Sequence, residues 1–176
     1  MHETEIKILE IDRKEIEKKL ISMGAKKVFD DEIHAIYYDF PDKSLKNANK
    51  VLRLRKEGGK SVLTCKKNLE GTEAKVMEET ELEVSDFLTM KLIFELLGFT
   101  SWLEMKKHRT RYELCKVHFE LDKYYGKYNY IPEFLEIEGP DVAAIYKYAE
   151  LLGFTQRDCR PWDAVQIADY YSCRIS

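Results

Sequence analysis

Charged residues recur at every second position along several stretches of the sequence. The first such row is Glu3, Glu5 and Lys7. Because alternate side chains of a β-strand point to the same face, each row would lie on one face of a strand. The later rows are Arg53 and Arg55; Thr64 and Lys66; Glu79, Glu81 and Glu83; Lys107, Arg109 and Arg111; His118, Glu120 and Asp122; and Glu136 and Glu138.

Together these rows have the chemistry to bind a polyanion and a divalent cation. Arg and Lys bind phosphate, and the planar guanidinium of Arg suits phosphate especially well. Carboxylates are ligands for hard cations such as Mg²⁺. Since unpaired charge is costly in a protein interior, rows of both signs around one cavity would fit a metal–polyphosphate complex.

A sheet with one solvated face is the simpler alternative, because antiparallel sheets often have one. Two features favour a shared interior. Some whole rows carry one sign, with three glutamates on one strand and three cations on another, whereas a solvated face normally mixes signs. Amphipathic helices also need the apolar faces of the strands as a packing surface. A sheet of about eight strands can curl until its charged faces meet across a lumen.

The elements that would position these rows alternate between strands and helices, in one domain over residues 1–176. Strands are predicted near residues 3–11, 26–39, 50–57, 60–68, 76–84, 102–114, 116–124 and 133–138. Helices are predicted near residues 13–23, 86–97, 141–152 and 162–172. The predicted fold class is therefore α+β.

Three of these helices share start and stop signals. An aspartate precedes each helical run, and a glycine follows twelve positions after it. The pairs are Asp12 and Gly24, Asp86 and Gly98, and Asp141 and Gly153. This spacing predicts an N-cap aspartate, three helical turns and a glycine in the left-handed conformation.

The composition excludes several classes of protein. Hydrophobic residues make up 44% of the 176 residues, too many for a disordered chain. The net charge of −3 gives no sign of a nucleic-acid partner. The four cysteines have no zinc-binding spacing. With neither a signal peptide nor a transmembrane stretch evident, we expect a cytoplasmic protein with no membrane partner.

The ordered rows resemble the motifs of the CYTH superfamily, also called triphosphate tunnel metalloenzymes. Glu3 to Lys7 is similar to its ExExK signature. The further matches are Arg53-Leu54-Arg55 (RxR), Thr64-Cys65-Lys66 (TxK), Glu79 to Glu83 (the acidic strand), Lys107-His108-Arg109 with Tyr112 (KxRxxY), and Phe119 to Asp122 and Phe134 to Glu138 (the last two motifs). They follow the family's order over residues 3 to about 155.

The resemblance implies an eight-stranded antiparallel β-barrel that forms a triphosphate tunnel, with helices packed outside. It implies Mg²⁺ or Mn²⁺ as cofactor. The implied phosphate-binding residues are Lys7, Arg53, Arg55, Lys66, Lys107 and Arg109. The implied metal ligands are Glu3, Glu5, Glu81, Asp122, Glu136 and Glu138. The implied catalytic residues are Lys7, Glu5, Arg53 and Lys66. Near the C-terminus, Arg157 or Arg160 would replace a late lysine of the family.

The implied partner is a small molecule that contains a triphosphate, and both a monomer and a homodimer remain open. Three activities also remain open. The first is hydrolysis of the terminal phosphate of inorganic triphosphate, thiamine triphosphate or a nucleoside triphosphate. The second is the class IV adenylyl cyclase reaction, which converts ATP to cyclic AMP and pyrophosphate. The third is triphosphate binding without turnover.

Overall fold

The computed structural model describes residues 2–69 and 75–175, and the side chains of residues 4–67 and 78–174. Within these residues the chain forms nine strands and five α-helices. In chain order they are β1 (His2–Leu9), α1 (Arg13–Ser22), β2 (Lys26–Asp39), α2 (Ser44–Asn47), β3 (Lys50–Glu57), β4 (Lys60–Leu69), β5 (Lys75–Val84), α3 (Phe87–Leu96), β6 (Thr100–Leu114), β7 (Val117–Tyr124), β8 (Phe134–Gly139), α4 (Val142–Leu151), β9 (Cys159–Arg160) and α5 (Ala164–Ile175).

The strands form one antiparallel sheet in the order β5-β4-β3-β2-β6-β7-β8-β1-β9. The two ends of the eight-strand series also pair, from His2 opposite Glu78 to Glu5 opposite Lys75. The short strand β9 continues along the same edge of β1, opposite Lys7 and Ile8. Each strand from β1 to β8 therefore has a paired neighbour on both sides.

The helices pack against the apolar faces of the strands. Leu20 of α1 and Ile145 of α4 are buried with Phe119 of β7 in one cluster. Phe94 of α3 is buried against Tyr38 of β2 in a second cluster, and α5 contributes to a third. Full burial of one such side chain contributes about 1.5–3 kcal/mol. This packing turns the charged rows away from the helices, because successive side chains alternate between faces.

The predicted start and stop signals of α1, α3 and α4 are confirmed. The carboxylate of Asp12 accepts a hydrogen bond from the backbone N–H of Glu15 at 3.1 Å. Asp86 and Asp141 cap their helices in the same way. The three glycines have φ between +85° and +96°, in the left-handed region where a Cβ is unfavourable.

The α+β class is confirmed, but the prediction of eight strands was wrong by one. The added strand is β9, whose two residues are too few for a periodic signal. The helix α2 was also not predicted. It has four residues, and it depends on Asp39, whose carboxylate accepts the backbone N–H groups of Leu45 and Lys46 at 3.0 Å. Among the described residues, no helix has both the length and the apolar character needed to cross a membrane.

Candidate active site

A cavity of about 320 Å³ lies against the charged faces of the strands. Every strand from β1 to β8 contributes to its lining, as does the start of α5. The predicted site residues in this lining are Glu5, Lys7, Arg53, Arg55, Lys66, Glu81, Lys107, Arg109, Glu136 and Glu138. Asp122 is buried behind the lining, and the side chain of Glu3 lies outside the described residues. The sheet thus brings rows from distant parts of the sequence together.

The wall formed by β3 and β4 is cationic. The guanidinium of Arg53 donates to the hydroxyl of Thr64 at 3.3 Å, and Arg55 pairs with Glu57 at 3.0 Å. The buried Nε–H groups of both arginines have no acceptor among the described residues. Burial, together with repulsion from Arg53, lowers the pKa of Arg55 to about 10. This wall therefore has positive charge that its own carboxylates do not fully compensate.

A group of carboxylates lies on β7 and β8. One oxygen from each of Glu120, Glu136 and Glu138 lies within 4.8 Å of the others. In the strand order β8 is four strands away from β3 in either direction. An all-oxygen donor set of this kind suits Mg²⁺ or Mn²⁺. The residues present therefore fit the divalent metal that the motif resemblance implies.

The carboxylates in this group have different pKa values because their neighbours differ. Burial raises the pKa of Glu120, and repulsion from Glu136 raises it further. The positive charge of Arg109 lowers it, but not enough to cancel the rise. Burial alone would also raise the pKa of Glu136, but Lys7 and Arg109 hold it well below its usual range. The group therefore carries both a buried carboxylate with raised proton affinity and one held ionised by cations.

Three further cations pair with carboxylates of β1, β7 and β8. The ammonium of Lys7 lies 3.0 Å from Glu5 and 3.2 Å from Glu136. Arg109 donates two hydrogen bonds to Asp122, at 2.7 Å and 2.6 Å, and Lys107 donates to Asp122 at 2.5 Å. The fully buried carboxylate of Asp122 is therefore occupied by two of the predicted phosphate-binding residues.

The C-terminal segment approaches the cavity differently from the expectation. Neither Arg157 nor Arg160 is among the described residues that line it. A guanidinium nitrogen of Arg160 donates to the backbone carbonyl of Cys159 at 3.1 Å, and the group lies 5.8 Å from the ring of Trp162. The lining residues of this segment are instead Asp163, Ala164 and Val165.

Several lining residues were not assigned from the sequence. Glu79, Arg111 and His118 belong to the charged rows, and their shared face with assigned residues was the available signal. Glu120, which lies in the carboxylate group and not in the lining, was part of such a row as well. The apolar lining residues had no such signal, because they interrupt the charged rows. They are Tyr37, Val51, Trp102, Leu103 and Tyr124.

Known proteins resemble this chain in sequence and in structure. The model of the CYTH domain family matches residues 1–161. A Methanocaldococcus jannaschii protein named "Putative adenylate cyclase MJ0240" is 28% identical over 138 residues, which cover 78% of this chain and 77% of that protein. The PH1012 protein from Pyrococcus horikoshii OT3 has a TM-score of 0.79 at 29% identity, with 94% of this chain and 98% of that chain covered.

A more distant structural relative is the Hippeastrum protein HpAC1, described as an adenylyl cyclase candidate with a dominant triphosphatase activity. It has a TM-score of 0.64 at 15% identity, over 98% of this chain and 95% of that chain. At this identity the likeness concerns the fold. The family model, in contrast, matches most of the chain and the strands that carry every charged row. The chain is accordingly a member of the CYTH domain family.

Proposed function

We propose that this protein is a metal-dependent enzyme that hydrolyses the terminal phosphate of a triphosphate. The supporting observation is the cationic wall, where Arg53 and Arg55 have buried Nε–H groups without acceptors among the described residues. The lowered pKa of Arg55 indicates that this wall favours an added anion. A triphosphate supplies several negative charges and many acceptor oxygens, which match Arg forks well.

In this proposal the strands β1 to β8 form a closed tunnel around the cavity. The pairing of β1 with β5 supports closure, because it links the two ends of the eight-strand series. The ninth strand then covers the part of the β1 edge that β5 does not reach. A closed wall would keep both the triphosphate and the metal partly shielded from water, which strengthens their electrostatic interactions.

The metal ligands in this proposal are Glu136 and Glu138, with Glu120 and Glu5 beside them. The carboxylate oxygens within 4.8 Å of one another support this set. A bound Mg²⁺ or Mn²⁺ would neutralise charge on phosphate oxygens. Asp122, which the motif resemblance gave as a ligand, instead positions Arg109 and Lys107, since both of its oxygens accept hydrogen bonds from them.

The remaining residues supply the positioning on which phosphoryl transfer depends. Arg53, Arg55 and Lys66 hold the phosphates along one wall. Glu5 and Lys7, whose side chains meet at 3.0 Å, hold the attacking water. Its oxygen forms a bond to the terminal phosphorus as the bond from that phosphorus to the bridging oxygen breaks. The diphosphate part leaves with the electron pair of the broken bond, the water gives up a proton, and the terminal phosphate is released as orthophosphate. Glu81, close to both Arg53 and Arg55, orients their guanidinium groups.

The test is an activity assay with Mg²⁺ or Mn²⁺ and either inorganic triphosphate or ATP. Release of orthophosphate supports the proposal. Tight binding with no product would contradict it and indicate a non-catalytic binding module. We expect Glu5→Gln and Lys7→Ala to abolish turnover, because both residues line the cavity. Lys56→Ala is the matched control, since Lys56 is an exposed cation of β3 on the opposite face.

A second candidate function is the adenylyl cyclase reaction, favoured by the name of the Methanocaldococcus relative. There the ribose 3′-hydroxyl of ATP attacks the α-phosphorus, and pyrophosphate leaves. In the same assay this activity would give cyclic AMP and pyrophosphate in place of orthophosphate. For either activity the proposed partner is a small molecule that contains a triphosphate. The protein itself could act as a monomer or as a homodimer. A cytoplasmic location stays a prediction.

A further inference from the structure

One end of the cavity is apolar and aromatic rather than charged. The side chains of Tyr37, Trp102 and Leu103 line it there. The Trp102 side chain is 50% exposed, whereas Lys7 and Arg109, deeper in the cavity, are each 5% exposed. Leu103 packs in the same apolar cluster as Ala164 at the start of α5, so this helix also lies beside this end of the cavity. The cavity therefore has a charged interior and an aromatic mouth.

A β-bulge explains how Trp102 comes to line the cavity. Along β6 the inward-facing positions are odd-numbered, as in Leu103 and Lys107, so Trp102 should face outward. The pairing with β2 shifts register here, because Tyr37 lies opposite Leu103 whereas Tyr38 lies opposite Ser101. Trp102 is the extra residue. Bulges of this kind re-aim a side chain, and they are frequent beside active sites.

The aromatic mouth begins immediately next to the cationic wall. The rings of Trp102 and Tyr37 lie 5.7 Å apart between centroids, at 53° to each other. Tyr37 lies opposite Arg53 in the β2–β3 ladder. On β3 itself, Val51 precedes Arg53 on the same face, so apolar lining gives way to cationic lining over two residues, or about 7 Å. A group attached to a triphosphate that is bound at Arg53 would reach this mouth.

The chemistry of the mouth favours a flat aromatic ring. Trp and Tyr faces stack on planar heterocycles of many kinds, because every such ring has a π-face. The polar lining residue contributed by the start of α5 is Asp163, and its carboxylate accepts the backbone N–H of Gln166 at 2.9 Å. Inorganic triphosphate has no ring to place against these side chains.

We propose that Trp102 and Tyr37 form the binding site for the ring of an organic triphosphate, which makes a ring-bearing triphosphate such as a nucleoside triphosphate the preferred substrate over inorganic triphosphate. This inference rests on the proposed function, since it takes the triphosphate chain to lie along Arg53 and Arg55. The ring stacks on Trp102 while the triphosphate extends inward. Stacking of this kind selects for a ligand that has a ring, and it discriminates less strongly between different rings.

The test compares the binding of ATP and inorganic triphosphate by calorimetry, in wild-type protein and in Trp102→Ala. We expect the variant to lose about 5- to 150-fold in affinity for ATP, the range that base–aromatic stacking spans. Its affinity for inorganic triphosphate should change by less than about two-fold, because the cationic wall is untouched. Trp102→Phe should recover most of the affinity for ATP. Tyr125→Ala, an exposed aromatic residue outside the cavity lining, is the matched control.

Tryptophan fluorescence provides a readout that does not depend on turnover. The chain has two tryptophans, so Trp162→Phe leaves Trp102 as the reporter. We expect ATP to quench this emission strongly and inorganic triphosphate to change it little. Equal losses of affinity for the two ligands in Trp102→Ala, or no loss for ATP, would overturn the inference alone. If neither ligand binds wild-type protein, both this inference and the proposed function are wrong.

Discussion

Asp122 allows a direct test of how the cations of the cavity are held. Its carboxylate is fully buried and accepts three short hydrogen bonds, two from Arg109 and one from Lys107. In Asp122→Asn the amide nitrogen would meet N–H donors where a carboxylate oxygen now accepts. The change would also remove the buried counter-charge that Lys107 pairs with and one of those of Arg109, which pairs with Glu120 as well.

The expected cost is large because removal of one partner of a buried ion pair costs about 3–5 kcal/mol. For a chain of this size, such a loss corresponds to a melting temperature lowered by about 6–20 °C. We expect activity to fall as well, since Lys107 and Arg109 would no longer be fixed in the cavity. The metal concentration needed for half-maximal activity should stay close to that of the wild type.

Glu138→Gln is the contrasting variant. Glu138 belongs to the carboxylate group and lies at the partly exposed edge of the cavity, with His118 at 3.5 Å. We expect little loss of stability and at least about a tenfold rise in the metal concentration required. Urea unfolding at pH 7 and a Mn²⁺ titration of activity measure the two effects. Wild-type stability in Asp122→Asn, or a metal requirement raised as in Glu138→Gln, would refute the reasoning.

Three further predictions concern other parts of the chain. Arg55→Met should raise the melting temperature of the ligand-free protein, because the charge of Arg55 is buried and is repelled by Arg53. It should also reduce the increase in melting temperature that inorganic triphosphate produces. A lower melting temperature of the variant without ligand would contradict this. Asp39→Asn should lower the free energy of unfolding by about 1.5–3 kcal/mol at pH 7. Burial alone would raise the pKa of Asp39, but backbone N–H groups hold it below its usual range. Its stabilisation is therefore present above about pH 4 and lost as the pH falls through the folded-state pKa, so urea curves of the two proteins should converge in acid. Phe94→Ala, which removes a buried ring 4.8 Å from that of Tyr38, should cost about 3–5 kcal/mol in urea unfolding; a loss below about 1 kcal/mol would show that this packing matters little.

Much of the fold could be predicted because its signals are local. Strand alternation gave the strands within two residues of their observed bounds, as at β2 and β3, which match throughout. The aspartate and glycine signals fixed three helices. Parity also put Lys107 and Arg109 on one face, and the structure has both in the cavity lining.

The rest depended on register between strands that are distant in the sequence. The pairing of Arg109 with Asp122 follows from the β6–β7 ladder, where the two residues lie opposite each other. The alternation of side chains within one strand does not indicate which carboxylate of another strand will lie next to Arg109. The position of Trp102 in the cavity lining was not predicted for the same reason. The β-bulge that turns its side chain inward is defined only by the pairing of β6 with β2.

Calorimetric titration with inorganic triphosphate and Mn²⁺ tests the central claim most directly, because it measures occupancy of the cavity without any assumption about turnover. The account predicts one site per chain in wild-type protein and in Lys56→Gln, and loss of at least about a hundredfold in affinity when Arg53→Gln and Arg55→Gln are combined, since each removes a charge-assisted phosphate contact. Equal affinity in the double variant and the wild type would contradict it.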